Sequence, residues 1–478
     1  MPEENEKVQA VPIGDAWVTT TGVIEVLAPY DGRLVGRVPA CGSSEVDAAV
    51  NAARGRLATP LPAHERAAIL DRAALALVAQ QEDFARTIAL EAAKPLRTAR
   101  VEAARAVDTF RFSAAEARTL AGDVVPLDAS VAGEGKLGLT LRLPIGVVGA
   151  ISPFNFPLNL VAHKVAPAIA AGCPVVLKPA SQTPLSALKL ARLLIEECGL
   201  PAGWLNVVTG GGAAVGDPLV GHPDVAMITF TGSPPVGWGI RERAPRKKVR
   251  LELGNNSPVI IEPDGDWQGA AGKIRVAGFS HAGQSCISTQ RIYVHESIAT
   301  EFVDALVAGV STLVVGDPLD EATEVSALIS PVETERVQEW IDEAVAEGAS
   351  VAVGDKVGDD GVLRPTVLVD VAPTMKVCRN EVFGPVVAVA TYASLDDALA
   401  LANDTQYGLQ AAIFTSRLDV ALQAAYTLDF GGVLVNEVPT WRADQQPYGG
   451  VRNSGNTREG PHYTVREMTE ERLVVFQP

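Results

Sequence analysis

The residues of this chain that could do chemistry begin with Cys286, in FSHAGQSCISTQR, between a predicted helix and the predicted strand RIYVH. A thiol is polarisable and attacks a carbonyl carbon once it has become a thiolate. Taken alone, a free cysteine is more often a small buried hydrophobe, so the case for a nucleophile rests on its company. Glu252, in VRLELG, stands at a strand end before Gly254, one strand and one helix upstream of the thiol. A carboxylate at the mouth of a cleft can serve as general base for a thiol or a water, although a strand-end Glu is as often merely solvated. Asn155, in the strand-to-helix loop ISPFNFPLN, is an amide donor held between aromatic rings and prolines. Such a donor can stabilise an oxyanion, but an Asx turn or a helix cap is the commoner reason for an asparagine there.

Gly232 and Gly237, in TFTGSPPVG, give a G-x-x-x-x-G loop that leaves a strand and opens a helix, where backbone N–H groups can meet phosphate. Trp238 stands where a Walker motif needs lysine, which disfavours a nucleotide triphosphatase. Gly210 to Gly212 with Gly216 misses the G-x-G-x-x-G spacing by one residue.

The elements that must position these residues are legible as texture. Residues 45 to 119 are rich in Ala, Leu, Glu and Arg, with Ile69, Ala73, Ala76 and Leu77 on one helical stripe, which predicts a helical N-terminal layer. From Gly146 onward, short β-branched runs (GVVGAIS, PVVLKP, WLNVVTG, VAMITF, VRLEL) alternate with helix-forming stretches such as Pro184 to Cys198, closed by Gly199. A second series follows, with strands near PVIIEP, RIYVH, PTVLVDV, PVVAVATY, AAIFT and GVLVN and helices around 297 to 313, 332 to 347, 395 to 403 and 418 to 427. This alternation predicts an α/β fold with two doubly wound parallel sheets and a cleft between the units. Asp123 to Leu143, with its LGLTLRL alternation, and the C-terminal ERLVVF fit neither unit. A lone strand needs a partner sheet, so these are expected to pair across a subunit boundary.

Composition bounds the rest. At about 100 to 200 residues per domain, 478 residues suggest roughly two to four domains and ample core. With 57 Asp and Glu against 40 Lys and Arg, the net charge of -17 sets nucleic acid and anionic membranes aside as partners. The five cysteines, Cys41, Cys173, Cys198, Cys286 and Cys378, have neither CxxC pairing nor histidines at metal-ligand spacing, so neither disulfides nor a metal site is expected. The N-terminus is acidic and polar, and the longest apolar stretch, Val165 to Leu177, carries prolines and a glycine and is too short for a bilayer. A cytoplasmic protein with reduced thiols is expected.

Read together and in order, the PFNFP loop with Asn155, KPA with Lys178, FTGS with Ser233, ELG with Glu252, GQSC with Cys286, EVFGPV with Glu381 and Phe383, and PYGGVRNSG with Tyr448 resemble the aldehyde dehydrogenase superfamily over nearly the whole chain. The resemblance implies a Rossmann-like NAD(P)-binding domain over 1–122 and 144–254, a catalytic domain over 255–435, a small bridging β-element of oligomerisation strands at 123–143 and 461–478, and a loop at 436–460 through which substrate enters. It implies a thiohemiacetal and then a thioester on Cys286, oxyanion donors from the Asn155 amide and the Cys286 N–H, and water activated by Glu252. Members that transfer the acyl group to coenzyme A lack a base at this position, so Glu252 favours hydrolysis. Glu459, in TREG, matches a position proposed to relay protons, unless it is a surface glutamate paired with Arg458; Lys178 completes the implied catalytic set.

For NADP or NAD the resemblance implies Ile151, Ser152, Pro153, Phe154, Lys178, Ser181, Gly212, Gly216, Phe230, Thr231, Gly232, Ser233, Val236, Leu253, Gly254, Glu381 and Phe383. Lys178 and Ser181 would meet the adenosine ribose, Ser233 the pyrophosphate, Glu381 the nicotinamide ribose and Phe383 the ring. Ser181 stands where strictly NAD-dependent relatives carry a glutamate that would repel a 2'-phosphate, which predicts that NADP is accepted and is a candidate for preference. Asn255 replaces a common second glycine, and its effect is open.

Phe156, His163, Ser285, Ile287, Arg442 and Tyr448 are the implied substrate residues. Arg442 falls where relatives with apolar substrates have an aromatic wall; it either receives a carboxylate or phosphate or simply pairs with Asp444. GQSCIS, PTWRAD and EMTEERLVV resemble the lactaldehyde and non-phosphorylating glyceraldehyde-3-phosphate dehydrogenase branch, and KPASQTPLSA resembles succinate-semialdehyde dehydrogenases. The implied substrate is a small polar or anionic aldehyde, with a broad aliphatic or aromatic range as the alternative, and the implied assembly is a homodimer or a dimer of dimers. Two readings from other classes stand beside this one. A cysteine hydrolase would need an oriented imidazole, for which His281 is the candidate, and a non-catalytic binding protein would have no use for Cys286, Glu252 and Asn155 together.

Overall fold

The protein is described by a computed structural model covering residues 6–477. Two short hairpins that periodicity did not reveal, Val11–Ile13 with Ala16–Val18 and Val23–Leu27 with Leu34–Pro39, precede the helical layer. Strands this brief carry too few residues for an alternating pattern to register. The layer itself consists of Ser43–Arg56, Ala63–Ala79, Gln81–Ala92 and Leu96–Thr119, and Ile69, Ala73 and Leu77 of the expected stripe are buried.

The first sheet is five-stranded and wholly parallel, in the order Lys248–Glu252, Val225–Thr231, Val147–Ile151, Val175–Lys178, Leu205–Val207. Between it and the Leu96–Thr119 helix runs Asn159–Ala171, buried on every side, as its nearly continuous apolar sequence NLVAHKVAPAIAA requires. Gly172 ends that helix at φ 86°, a left-handed position that glycine adopts without a Cβ penalty. The helix expected from Pro184 to Cys198 runs as Leu185–Arg192 and widens into a π turn at Leu193–Glu197 before Gly199.

The second sheet has seven strands, ordered Ser350–Val353, Thr366–Val369, Val386–Tyr392, Thr289–His295, Ser257–Ile261, Gln410–Phe414, Gly432–Val435. All neighbours are parallel except the first pair, whose antiparallel edge strand was not foreseen. One apolar core gathers residues from Val11 to Leu253 together with Val465 and Met468. Another, running from Val259 to Val438, fills the second unit.

The two lone strands pair with each other inside the chain. Leu137–Pro144 and Thr469–Phe476 form an antiparallel ladder from Thr469 opposite Pro144 to Phe476 opposite Leu137, with Val124–Val125 on the other side. Sequence separation hid the pairing, since the alternation in each strand says nothing about which distant strand matches it. The segment 461–478 also begins with the helix Pro461–Glu467, whose Val465 belongs to the first core. Among the described residues no helix is long and apolar enough to cross a membrane.

Candidate active site

At the carboxyl ends of the first sheet's strands lies a cleft of about 530 Å³ shared with the second unit. Ligands of open α/β sheets bind at these ends, because the loops there are free of the ladder. Ile151, Lys178, Thr231 and Glu252 enter the cleft from the first unit, and Cys286, Ile329, Glu381 and Phe383 enter from the second.

Cys286 is delivered by a left-handed run, His281 (φ 50°), Ala282 (φ 53°) and Gly283 (φ 72°). Gly283 has to be glycine, because a Cβ there would fall 2.0 Å from the Gly384 carbonyl oxygen. The next residue, Gln284, accepts a 2.9 Å hydrogen bond at its carbonyl from Asn155 Nδ2. That contact fixes the amide orientation and leaves the second Nδ2 hydrogen free for a ligand. Among the described residues the Cys286 N–H has no acceptor, so both implied oxyanion donors are available. The thiol is partly exposed, with Sγ 2.9 Å from the Tyr448 hydroxyl. Burial pushes its pKa up to about 12; Glu381 and Glu252 add to this, while the Tyr448 hydrogen bond and Arg442 oppose it. The resting sulfur is a protonated thiol.

Glu252 is buried, and both carboxylate oxygens lack partners. Burial, reinforced by the charge of Glu459, raises its pKa well above the ordinary value, while Arg442, Lys164 and Arg458 pull it down. A carboxylate so poised is a stronger base than a solvated one. Gly449 makes room for it, since a Cβ there would lie 2.7 Å from Glu252 Oε1. Glu459 is not a surface residue paired with Arg458: it is buried, 3.4 Å from Lys164 Nζ and 3.2 Å from Arg442 Nη2. Burial disfavours its charge, but Lys164 and Arg442 outweigh this and hold it below the usual range.

Arg442 does not pair with Asp444. Its Nη2 meets Glu459, and its guanidinium carbon stacks 3.7 Å from the centroid of the Tyr448 ring. Asp444 instead takes Arg105 (3.1 and 2.9 Å) and Asn159 (3.1 Å), and lies 2.9 Å from His163 Nε2. Burial works against the Asp444 charge, but His163 and Arg105 keep it well below the carboxylate range. His163 is itself buried, and its pKa is lowered by burial, so it is a neutral ring behind the site. Phe156 sits under Lys94 Nζ, 3.6 Å from the ring centroid, and Ile287 packs against Tyr448 and Leu409. Ser285 accepts a long hydrogen bond (3.4 Å) from the Ile287 N–H.

Glu381 lies across the cleft, its Oε1 accepting from Asn255 N at 2.9 Å, and burial raises its pKa to about 7. A Cβ on Gly254 would fall 2.1 Å from Glu381 Oε2, so glycine leaves the room that carboxylate occupies. Asn255 Nδ2 donates to Ser257 Oγ (2.7 Å) and the Gln410 carbonyl (3.2 Å), tying the end of the Glu252 segment to the second sheet. Phe383, at φ 49°, meets Phe154 edge to face at 5.8 Å. Ser181 donates to the Gly210 carbonyl at 2.9 Å and lines the cleft with Lys178. Ser152, Pro153, Phe230, Gly232, Ser233 and Leu253 also line it. Gly216 lies beside the Lys178 stem, whereas Gly212 and Val236 are exposed and stand outside the lining.

Residues 17–474 match the aldehyde dehydrogenase family. The chain belongs to that family. It is 47% identical over 464 residues to the 3-sulfolactaldehyde dehydrogenase of Priestia aryabhattai, covering 97% of each chain. Aldehyde dehydrogenase 21 of Physcomitrella patens, solved with its reaction product succinate, superposes with a TM-score of 0.95 at 38% identity over 98% of each chain. The glyceraldehyde-3-phosphate dehydrogenase of Methanocaldococcus jannaschii, solved with NADP, gives 0.91 at 37% identity over 95% of this chain and 99% of that one.

As an aldehyde dehydrogenase this chain is an oxidoreductase acting on the aldehyde group. The structure weakens the hydrolase reading, because both ring nitrogens of His281 are without partners, so no hydrogen bond joins the imidazole to Cys286, and its ring packs edge-on with Phe156. Several site residues escaped the motifs. Lys164, between Glu459 and the hydroxyls of Thr229 and Thr231, could have been found as the lone lysine in an otherwise apolar helix. Glu333 and Arg336, which pair at 2.8 Å on the cleft wall, lie in a helix foreseen only as a helix. Arg105 carries no local signal, since Asp444 is its partner from the far end of the chain.

Proposed function

We propose that this aldehyde dehydrogenase oxidises a small polar or anionic aldehyde to its carboxylic acid with NADP or NAD. The observation that carries the reading is the convergence on one cleft of Cys286, the Asn155 amide and the unpartnered Glu252 carboxyl. The Cys286 thiol loses its proton to water in the cleft, and its sulfur bonds to the aldehyde carbon. The carbonyl electron pair moves to oxygen, where the Asn155 amide and the Cys286 N–H receive the charge; losing one such donor typically costs about 100- to 1,000-fold in rate. Once that carbon has given up its hydride and become a thioester, Glu252 takes a proton from the attacking water, and the acid leaves as the thiol is restored.

The first unit, 1–122 and 144–254, is our candidate for holding the cofactor and 255–435 for supplying the nucleophile. The residues present fit a dinucleotide: the Pro234–Arg243 helix opens on the cleft side of Gly232 and Ser233 with no side-chain cap, Lys178 supplies a cation, and glycine at 254 admits Glu381. When bound, the nicotinamide supplies a hydride acceptor for the carbon held on Cys286. Ser181 leaves no carboxylate to repel a 2'-phosphate. Ser181→Glu is therefore expected to lower kcat/KM for NADP by at least about tenfold while sparing NAD. A wild-type enzyme with a strong NAD preference, or a variant unaltered toward NADP, would contradict this assignment.

Support for an anionic substrate comes from the relatives, whose names specify sulfolactaldehyde, succinate and glyceraldehyde-3-phosphate. Within this chain the buried cation nearest Tyr448 is Arg442. A panel of glycolaldehyde, lactaldehyde, succinate semialdehyde, glyceraldehyde-3-phosphate and aliphatic and aromatic aldehydes, run with both cofactors on wild type and Arg442→Ala, tests the class. Anionic aldehydes are expected to lose at least about tenfold more kcat/KM than neutral ones. Equal losses would remove Arg442 as the anion receptor, and a flat wild-type profile would favour the broad-specificity alternative.

A further inference from the structure

We propose that Tyr448 is a catalytic residue, its hydroxyl stabilising the Cys286 sulfur when it ionises to a thiolate, and that Arg442 is a positioning residue that polarises the phenol from behind. The inference rests on Cys286 being the nucleophile. Tyr448 is buried, and its hydroxyl, 2.9 Å from Sγ, has no other partner among the described residues. Its backbone is fixed by a 3.0 Å hydrogen bond from its N–H to the Glu459 carbonyl. On the ring face, the Arg442 guanidinium carbon lies 3.7 Å from the centroid, clamped by Glu459 at 3.2 Å. A cation over a π face draws electron density from the ring, and in a low-dielectric interior it strengthens the O–H as a donor.

The charged and titratable groups facing the sulfur are Tyr448 and Arg442 from the return segment, Glu252 from the first sheet and Glu381 from the second unit. The carboxylates oppose a thiolate, so the hydroxyl and the cation behind it are the groups that favour one. Tyr448 keeps its own proton, since burial holds its phenol well above the ordinary value. The thiol proton leaves to water. As sulfur bonds to the carbonyl carbon it loses its charge, and the hydrogen bond relaxes with no proton transferred from tyrosine.

Alkylation of Cys286 by the neutral reagent iodoacetamide tests this without cofactor or aldehyde, so its failure is distinguishable from failure of the proposed reaction. The other four cysteines are buried, and peptide mapping isolates the Cys286 adduct. Removing a hydrogen bond worth about one pKa unit cuts the thiolate tenfold, but the more basic sulfur recovers about threefold in nucleophilicity. Tyr448→Phe is thus expected to slow alkylation about threefold at every pH from 7 to 9. Arg442→Gln is expected to do the same, with Arg442→Lys restoring part of the rate. The double variant is expected to be slowed by less than the product of the two single effects, because Arg442 acts in part through the phenol. Circular dichroism qualifies each variant as folded, and Arg442→Lys carries the arginine arm should the glutamine variant unfold. An unchanged or faster rate in Tyr448→Phe overturns the proposal, and multiplying effects in the double variant overturn the role of Arg442.

Discussion

Cys286→Ser is expected to lower kcat/KM for aldehyde oxidation at least about 1,000-fold, some 4 kcal/mol of barrier, while leaving cofactor binding intact. The substitution is nearly isosteric, so the turn from His281 to Gly283 and the Gln284 contact to Asn155 persist. What changes is ionisation. A thiol raised to about 12 still yields a small thiolate fraction near neutrality, whereas a serine hydroxyl in the same buried setting yields essentially none. Glu252 does not rescue the serine, because an alkoxide is far more basic than even a raised carboxylate. Production of reduced nicotinamide is the readout, with fluorescence titration of the cofactor as the binding control. Retained turnover would mean that the nucleophile lies elsewhere.

Glu252→Gln is expected to separate the two halves of the reaction. Loss of a general base costs typically about 100- to 10,000-fold, and here it falls on thioester hydrolysis. In the proposed reaction acylation depends on Cys286, Asn155 and Tyr448, all unaltered, so one equivalent of reduced nicotinamide per site should appear in a burst, followed by slow steady turnover. The amide fills the same volume beside Gly449, where a Cβ would already crowd Glu252 Oε1 at 2.7 Å. It also removes a neighbour whose charge Glu459 opposes. A uniform slowing with no burst would assign Glu252 to the first step instead.

What could be read from the sequence follows the reach of each interaction. Cys286 and Asn155 sit in short loops and Glu252 at a strand end, in runs whose residue order is itself the signal, and the parallel strands around them declare themselves as β-branched runs. Arg442 illustrates the limit. Its neighbour Asp444 in sequence suggested an ion pair, yet Asp444 is held by Arg105 and His163, which come from helices far earlier in the chain, and Arg442 turns to Glu459 and Tyr448. Lys164 belongs to no motif, yet this buried lysine, and not the neutral imidazole of the adjacent His163, touches Glu459. The bridging strands were recognised as strands but not as each other's partners, because register between distant segments leaves no trace in either one.

The central claim is that an acyl group passes through the sulfur of Cys286 and leaves by water activated at Glu252. Intact-protein mass spectrometry of Glu252→Gln, quenched in acid seconds after mixing with cofactor and aldehyde, tests it most directly. The expected result is an added mass equal to the acyl group of the aldehyde used, mapped to the Cys286 peptide and absent in Glu252→Gln/Cys286→Ser. Full burst formation of reduced nicotinamide with no covalent adduct, or an adduct on another residue, would contradict the account.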